Sequence, residues 1–202
     1  MAITRKGTET GLQSGEHLSR FNIMIHTERL LLRDWDSQDL EPFAMMNADP
    51  RVMKFFPACL TRLESDHMAK RISDRIKERG WGLFALEHKP SGEFIGFTGL
   101  SIPSFEAAFT PCVEIGWRLA HVAWGQGIAV EAARAVVQLA FSSLALPELV
   151  SFTSIENVRS RRVMEKLGMT HNLADDFDHP DLPDSHALRR HALYRLRNPL
   201  LR

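Results

Sequence analysis

A pair of glycines between a strand-like run and an amphipathic helix constrains the fold of this chain more than any other feature. Residues 113–119 have the pattern of a central strand, Gly125 and Gly127 follow, and apolar residues from Val130 onward recur at helical spacing. Glycine has no Cβ, so the backbone there can turn tightly and come close to a ligand. The first amides of the helix have no partner inside it and point outward at its positive end. The segment therefore predicts a strand–turn–helix unit that receives a phosphate or pyrophosphate.

Four interpretations of this turn compete. A P-loop needs Lys followed by Ser or Thr after its last glycine, and Ile128 and Ala129 stand there instead. A dinucleotide-binding turn needs a third small residue where Val130 stands. It also needs an acidic residue at the end of the next strand, whereas Glu148 precedes that strand. The remaining interpretations are the pyrophosphate loop of a coenzyme A transferase and a plain strand-to-helix turn without a ligand.

The rest of the chain mixes helix and strand signals. The clearest is a capping-box pattern formed by Thr61 and Glu64, because it marks the start of a helix from the sequence alone. Helices are predicted over 37–47, from Thr61 to Gly80, from Val130 to Pro147 and from Asn157 to Gly168. Strands are predicted over 29–33, 81–87, 94–102, 113–119, 149–155 and 187–196. This order indicates an α/β or α+β sheet domain with at least one strand–helix–strand crossover.

Composition limits the class of protein. With 202 residues, 44% of them hydrophobic, the chain fits one ordinary domain with a substantial core. Lys plus Arg and Asp plus Glu number 25 each, so we expect no nucleic-acid partner, which would call for a basic excess. Without a long apolar run or a disulfide framework, we expect a cytoplasmic protein with no membrane partner. We further expect residues 1–23 to be a disordered N-terminal extension and residues 24–202 to be a single domain.

Three stretches of the chain occur in an order shared with one known family. They are residues 27–33 (TERLLLR), residues 124–129 (WGQGIA) and residues 157–169, from Asn157 to Met169. They resemble the GCN5-related N-acetyltransferase (GNAT) superfamily, whose acetyl-CoA signature is Arg/Gln-x-x-Gly-x-Gly/Ala. Gly127 and Ala129 match the last two small positions of that signature. Trp124 stands where Arg or Gln is usual, as in the RimJ/RimL-type branch (ribosomal-protein N-terminal acetyltransferases), and the resemblance covers about 24–202.

The resemblance implies a fold and a co-substrate, acetyl-CoA. The acyl-CoA N-acyltransferase fold has a mixed, mostly antiparallel central sheet flanked by helices, and the strands matching 113–119 and 149–155 splay apart. The pantetheine arm of the coenzyme would lie in that gap, and the glycine turn would hold the pyrophosphate. The implied coenzyme-binding residues are Ile115, Trp117, Arg118, Leu119, Trp124, Gly125, Gln126, Gly127, Ile128, Ala129, Asn157 and Arg162.

The implied reaction is the attack of a neutral amine on a thioester, which needs a base, a donor to the carbonyl oxygen and an acid for the sulfur. The resemblance implies Glu114 as the base, directly or through water, although a strand-edge glutamate facing solvent explains this residue equally well. Many relatives use a tyrosine as the acid where Met164 stands. Ser160 is the implied substitute, and support of the helix cap is its ordinary alternative. Met164 and Trp124 leave a second function open, a non-catalytic acyl-CoA-binding sensor.

The acidic, His-containing segment over 175–191 suggests two roles. A metal site would need three or four of its side chains to converge, and two prolines and the lack of a helical His pair make us expect no metal. The favoured hypothesis is a polar loop that lines the acceptor side. If it holds, substitution of Asp176 or Asp178 by Ala raises the KM for the amine acceptor. The acceptor is a primary amine on a protein N-terminus or a small molecule. The sequence leaves that choice and the oligomeric state open, a homodimer being the commonest closed assembly.

Overall fold

A single sheet of ten strands organises the computed structural model, which describes residues 2–6 and 22–201. The strand order is β1-β2-β3-β4-β5-β6-β7-β10-β8, and β9 pairs with β10. The strands are β1 Ala2–Lys6, β2 Asn22–His26, β3 Leu30–Arg33, β4 Leu83–His88, β5 Glu93–Ser101, β6 Glu114–Leu119, β7 Glu148–Ser154, β8 Thr170–His171, β9 Phe177–Asp178 and β10 Arg190–Arg197.

Four α-helices lie in the connections between these strands. They are α1 Leu40–Ala48, α2 Arg62–Arg79, α3 Ile128–Gln138 and α4 Val158–Lys166, and a π-helical turn, Leu139–Ser143, continues α3. The predicted capping box is confirmed, because Thr61 accepts from the Glu64 amide and Glu64 accepts from the Thr61 amide. Gly80 ends α2 at a φ of 77°, which a residue with a Cβ adopts only with strain.

Two apolar clusters hold the helices on opposite faces of the sheet. The larger one packs α3 on the sheet and includes Ile115 and Val136, both fully buried. The smaller one packs Phe43 of α1 and Ala69 of α2 against Phe97 of β5. Side chains alternate between faces along a strand, so consecutive residues of β6 point to different helical layers. The side chains of β6 therefore point alternately toward the α1 layer and toward the α3 layer.

The pairing of β6 with β7 differs from every other strand pairing in the described sheet. These two strands are parallel, and only Glu114 and Val150 stand opposite each other, whereas the other pairs are antiparallel. Beyond that pair the strands diverge, while β6 stays paired with β5 along its whole length. The predicted fold class, a mixed and mostly antiparallel sheet with splayed central strands, is confirmed.

Some elements differ from the sequence predictions. Ala2–Lys6, within the predicted N-terminal extension, forms a strand paired antiparallel with β2, and residues 1 and 7–21 lie outside the described residues. The division into an extension over 1–23 and a single domain over 24–202 stays a prediction. The segment over 175–191 contains β9, which exists only because Phe177 and Asp178 pair with β10. Two-residue strands have no periodicity of their own, so only the partner strand reveals them.

Candidate active site

A wedge-shaped gap between β6 and β7 is the first component of the site. Because the two strands pair only at Glu114, the edge of β6 that faces β7 has no strand partner from Ile115 to Leu119 among the described residues. Main-chain groups on such an edge are free to bind an extended ligand arm as a neighbouring strand would. The structure thus brings the predicted segment, which also includes Trp117 and Arg118, to the side of the gap.

The glycine turn lies at the wide end of this gap. Gly125 has a φ of 75° and Gly127 a φ of 77°, so both adopt the left-handed conformation that favours glycine, and the backbone turns tightly as predicted. Gly127 is the residue before α3. Within the described residues no side chain caps the first turn of α3, so the amides of that turn are left without a capping partner. Ile128 is buried beneath them, and the indole of Trp124 donates to the Leu119 carbonyl at 2.9 Å. The turn is therefore fixed to the end of β6.

Arg29 holds this turn from outside, a role that the sequence analysis did not assign. Its guanidinium donates to the Gln126 carbonyl at 2.9 Å and to the Glu131 carboxylate at 2.7 Å. Thr27 also donates to Glu131. Burial alone would raise the pKa of Glu131, but the hydrogen bonds from Thr27 and Arg29 outweigh it and hold that pKa below its ordinary value. The TERLLLR stretch that contains both residues was the available signal.

The first turn of α4 forms the opposite side of the gap. Asn157 precedes α4, where its side chain accepts from the Ser160 amide at 3.3 Å and donates to Thr153 at 3.0 Å. Ser160 is half-buried, and its hydroxyl makes no hydrogen bond within the described chain. Arg162 is exposed, and Met164 is buried in the core at 1% exposure. The side chain of Asn157 thus caps α4, and Ser160 supports that cap through its backbone amide.

Glu114 occupies the narrow end of the gap. Its carboxylate accepts one hydrogen bond, from the Ser101 hydroxyl at 3.0 Å on the adjacent strand β5. Burial raises the pKa of Glu114 from 4.5 to about 7, and the Ser101 hydrogen bond offsets only part of that rise. A carboxylate with this pKa exchanges protons readily near neutral pH, as a general base must. This environment favours the catalytic interpretation over a solvent-facing glutamate.

Comparison with known proteins decides the family. The family described as "Acetyltransferase (GNAT) domain" matches residues 29–170, which is more than half of the chain. The chain belongs to the GNAT acetyltransferase family. Members of this family transfer an acetyl group from acetyl-CoA to an amine, and the chain is an N-acetyltransferase of this class.

Individual relatives agree with membership of the GNAT family. The Bacillus subtilis protein YkkB is 30% identical over 71% of this chain and 83% of its own length. The FsC-acetyl coenzyme A-N(2)-transacetylase of Aspergillus fumigatus is 32% identical over 73% of this chain and 65% of its own length. An acetyltransferase from Agrobacterium tumefaciens has a similar structure, with a TM-score of 0.68, 27% identity and coverage of 94% and 99% of the two chains. RimL, solved with coenzyme A, shares the fold at a TM-score of 0.68 and 15% identity over 86% and 97% of the two chains.

The acidic segment of this GNAT protein is largely paired with cations. Asp175 contacts Arg195, Asp178 contacts Arg189 and Arg190, and Asp184 contacts Arg189. These pairs offset the negative charge that would favour an amine. Within residues 2–6 and 22–201, no group of three or more His, Cys, Asp or Glu side chains is placed to hold a metal ion.

Two histidines of the same segment join an aromatic cluster around Phe152 of β7. Burial lowers the pKa of His179 and of His191, so both rings are neutral at pH 7. They pack with four phenylalanines that come from the connection between β5 and β6, from β7 and from β9, namely Phe105, Phe109, Phe152 and Phe177.

Over the described part of the chain, no helix is long and apolar enough to cross a membrane.

Proposed function

We propose that this GNAT acetyltransferase transfers the acetyl group by direct attack of a primary amine, with Glu114 as the general base. The observation that carries the proposal is the position of Glu114 at the narrow end of the gap, with a pKa of about 7 and one hydrogen bond. Near pH 7 roughly half of such carboxyl groups are ionised and able to accept the proton that the amine loses. The nitrogen forms a bond to the carbonyl carbon, the carbon–sulfur bond breaks, and the coenzyme leaves as its thiol.

The direct route is supported by the state of the nearest cysteine. Burial raises the pKa of Cys112, two residues before Glu114, to about 11. The thiol is therefore protonated at neutral pH and a poor nucleophile, which argues against an acetylated cysteine on the enzyme.

Coenzyme binding in the proposal uses the residues that the sequence predicted. The unpaired edge of β6 would bind the pantetheine arm, and the amides from Gly125 to Ala129 would bind the pyrophosphate at the positive end of α3. Ser160 would donate a proton to the sulfur, since its hydroxyl has no competing partner in the described chain and lies half-buried on the first turn of α4. Arg162 would reach the phosphates from the same helix.

A screen of acceptors tests the proposed function. Thiol release from acetyl-CoA would be measured with peptides that begin with Ala or Ser, with polyamines and with aminoglycosides. We expect turnover with at least one class, and Glu114→Gln should abolish most of it without weakening coenzyme binding. Tight coenzyme binding without turnover on any amine would instead support the sensor function, which the buried Met164 in place of an acid keeps as the second candidate. A homodimeric state and a cytoplasmic location stay predictions from the sequence.

A further inference from the structure

Arg118 is a buried cation without a carboxylate partner among the described residues. Its side chain is 8% exposed, and its one hydrogen bond runs from Nη1 to the neutral Oδ1 of Asn47 at 2.6 Å. Its Nε is fully buried and donates to no group within the described chain. Burial lowers the pKa of Arg118 to about 10, so the group is still charged at pH 7. An enclosed charge without a counter-ion is costly, which calls for an explanation.

Arg33 shows how this chain stabilises an arginine that has only a structural role. Two arms of its guanidinium donate to Asp39 at 2.7 and 2.9 Å, and its Nε donates to Glu87 at 2.8 Å. Both partners are carboxylates, and Arg33 is nevertheless more exposed than Arg118. Arg118 is more buried than Arg33 but lacks the carboxylate partners that Arg33 has.

The side chain of Arg118 lies on the same face of β6 as Glu114. The two residues are four apart on one strand, and their partners on β5, Phe97 and Ser101, point to that face too. Between them stands Gly116, where an added Cβ would meet nothing closer than Glu114 Oε1 at 3.8 Å. The carboxylate thus leans along the strand over Gly116, and two residues, about 7 Å of strand, separate that point from Arg118.

Two aromatic rings lie near the guanidinium. The guanidinium carbon is 4.0 Å from the ring centre of Phe56, in the segment between α1 and α2, and 5.4 Å from that of Phe97 on β5. Such contacts stabilise the cation without using its hydrogen-bond donors. Asn47 takes Nη1 and Nε is fully buried, so Nη2, which has no partner in the described chain, is the donor left for a carboxylate oxygen of a ligand.

We propose that Arg118 is an acceptor-binding residue that selects amines carrying a carboxylate, as in a free amino acid. This inference rests on the proposed function, because it takes Glu114 as the group that faces the acceptor nitrogen. The carboxylate of the acceptor pairs with Nη2 of Arg118, and its amine lies over Gly116 beside Glu114. Asn47, itself held by donating to Ser65 at 2.8 Å, keeps the guanidinium in place.

The test compares acceptors that differ only in the carboxylate, using the wild-type protein. The pairs are lysine with cadaverine, ornithine with putrescine and phenylalanine with phenethylamine. We expect at least one amino acid to have a KM roughly 10- to 100-fold below that of its decarboxylated partner, the effect of hydrogen bonds to a charged group. Peptides with a free N-terminus and a distant carboxylate should behave like the decarboxylated amines. Preferences below threefold in all pairs would overturn the inference.

Variants and a binding measurement complete the test. Arg118→Met should raise KM for the preferred amino acid by a similar factor and leave KM for its decarboxylated partner unchanged, and Arg118→Lys should fall between. Arg33→Met is the control, which should lower stability without changing the preference. Calorimetric titration of the same pairs into protein saturated with coenzyme A needs no turnover. Selective binding of the amino acids without turnover would support the carboxylate site and refute the proposed function. Turnover without selectivity would support the proposed function and refute the carboxylate site.

Discussion

In the proposed active site, the two sides recognise their ligands by different means. On the coenzyme side the groups are main-chain amides and carbonyls, supplied by the unpaired edge of β6 and by the turn that ends at Gly127. On the acceptor side they are side chains, with Glu114 and Arg118 on the α1 face of the same strand. Main-chain recognition is compatible with many side chains, whereas recognition by side chains changes with each substitution. One strand can therefore keep its co-substrate while its acceptor varies.

The strongest test of this division is Glu114→Gln. Loss of the general base should lower kcat roughly 10²- to 10⁴-fold, while the Kd for coenzyme A stays within twofold because the coenzyme side is unchanged. Glu148→Gln is the matched control, since Glu148 is also a strand glutamate but pairs with Arg195 at 2.8 Å. Steady-state kinetics with calorimetry decide the matter. A variant that keeps a third of the wild-type kcat would remove Glu114 from the mechanism.

The reverse test is Gly127→Ala, which acts on the coenzyme side alone. A residue with a Cβ is strained at a φ of 77° by about 1–2 kcal/mol, and relief of that strain turns the first amides of α3 away from the ligand. We expect the Kd for coenzyme A to rise roughly tenfold. Gly92→Ala is the control, because Gly92 has a φ of 69° in the turn between β4 and β5. Both variants should lose similar stability in thermal melts, and an equal Kd for both would contradict the anion-binding role of the turn.

The pH dependence should also separate the two sides. Because Glu114 must be ionised to act, kcat should rise about tenfold per unit as pH increases toward 7 and then level, while coenzyme affinity shows no such step. The folded protein holds a proton on Glu114 that the unfolded chain releases above pH 4.5. Wild-type stability should therefore fall relative to Glu114→Gln as pH rises from 4.5 to 7, by up to about 3 kcal/mol. Parallel pH profiles for the two proteins would refute the raised pKa.

The smallest expected effect concerns Arg29, which supports the glycine turn from a distance. Arg29→Lys removes the bond to the Gln126 carbonyl and the fork on Glu131, so the Kd for coenzyme A should rise roughly three- to tenfold and stability should fall by about 1 kcal/mol. Arg51→Lys is the control, because Arg51 is 63% exposed and pairs with Asp49 at the surface. Acceptor KM should not change in either variant. A change in acceptor KM with Arg29→Lys would contradict the separation of coenzyme binding from acceptor binding.

The features that the sequence predicted well have local signals. The glycine turn, the capping box of Thr61 and the start of α4 at Asn157 each depend on residues within one helical turn. Their conformations follow from steric limits and from hydrogen bonds to nearby amides, so a short window of sequence contains the cause. The proposed coenzyme side consists largely of such features, which is why the sequence alone is enough to predict residues for it.

The acceptor side could not be predicted in the same way. The contact of Arg118 with Asn47 joins positions 71 apart in the chain, and the burial of Glu114 depends on how β5 and β7 flank it. The sequence analysis placed Arg118 among the coenzyme-binding residues and balanced two interpretations of Glu114. The short strand β9 was missed because two residues have no periodicity of their own, and the pairing of Asp178 with Arg189 and Arg190 was missed with it, since it depends on β9 lying beside β10.

The single pairing of Glu114 with Val150 also has a mechanical consequence. Because β6 and β7 pair at this position alone among the described residues, a change in the angle between the two strands would displace this joint least. The same change would widen or narrow the far end of the gap, near the glycine turn. A carboxylate at the joint keeps its place while the mouth of the wedge adjusts to a bulky nucleotide, so ligand entry need not disturb the geometry of proton transfer.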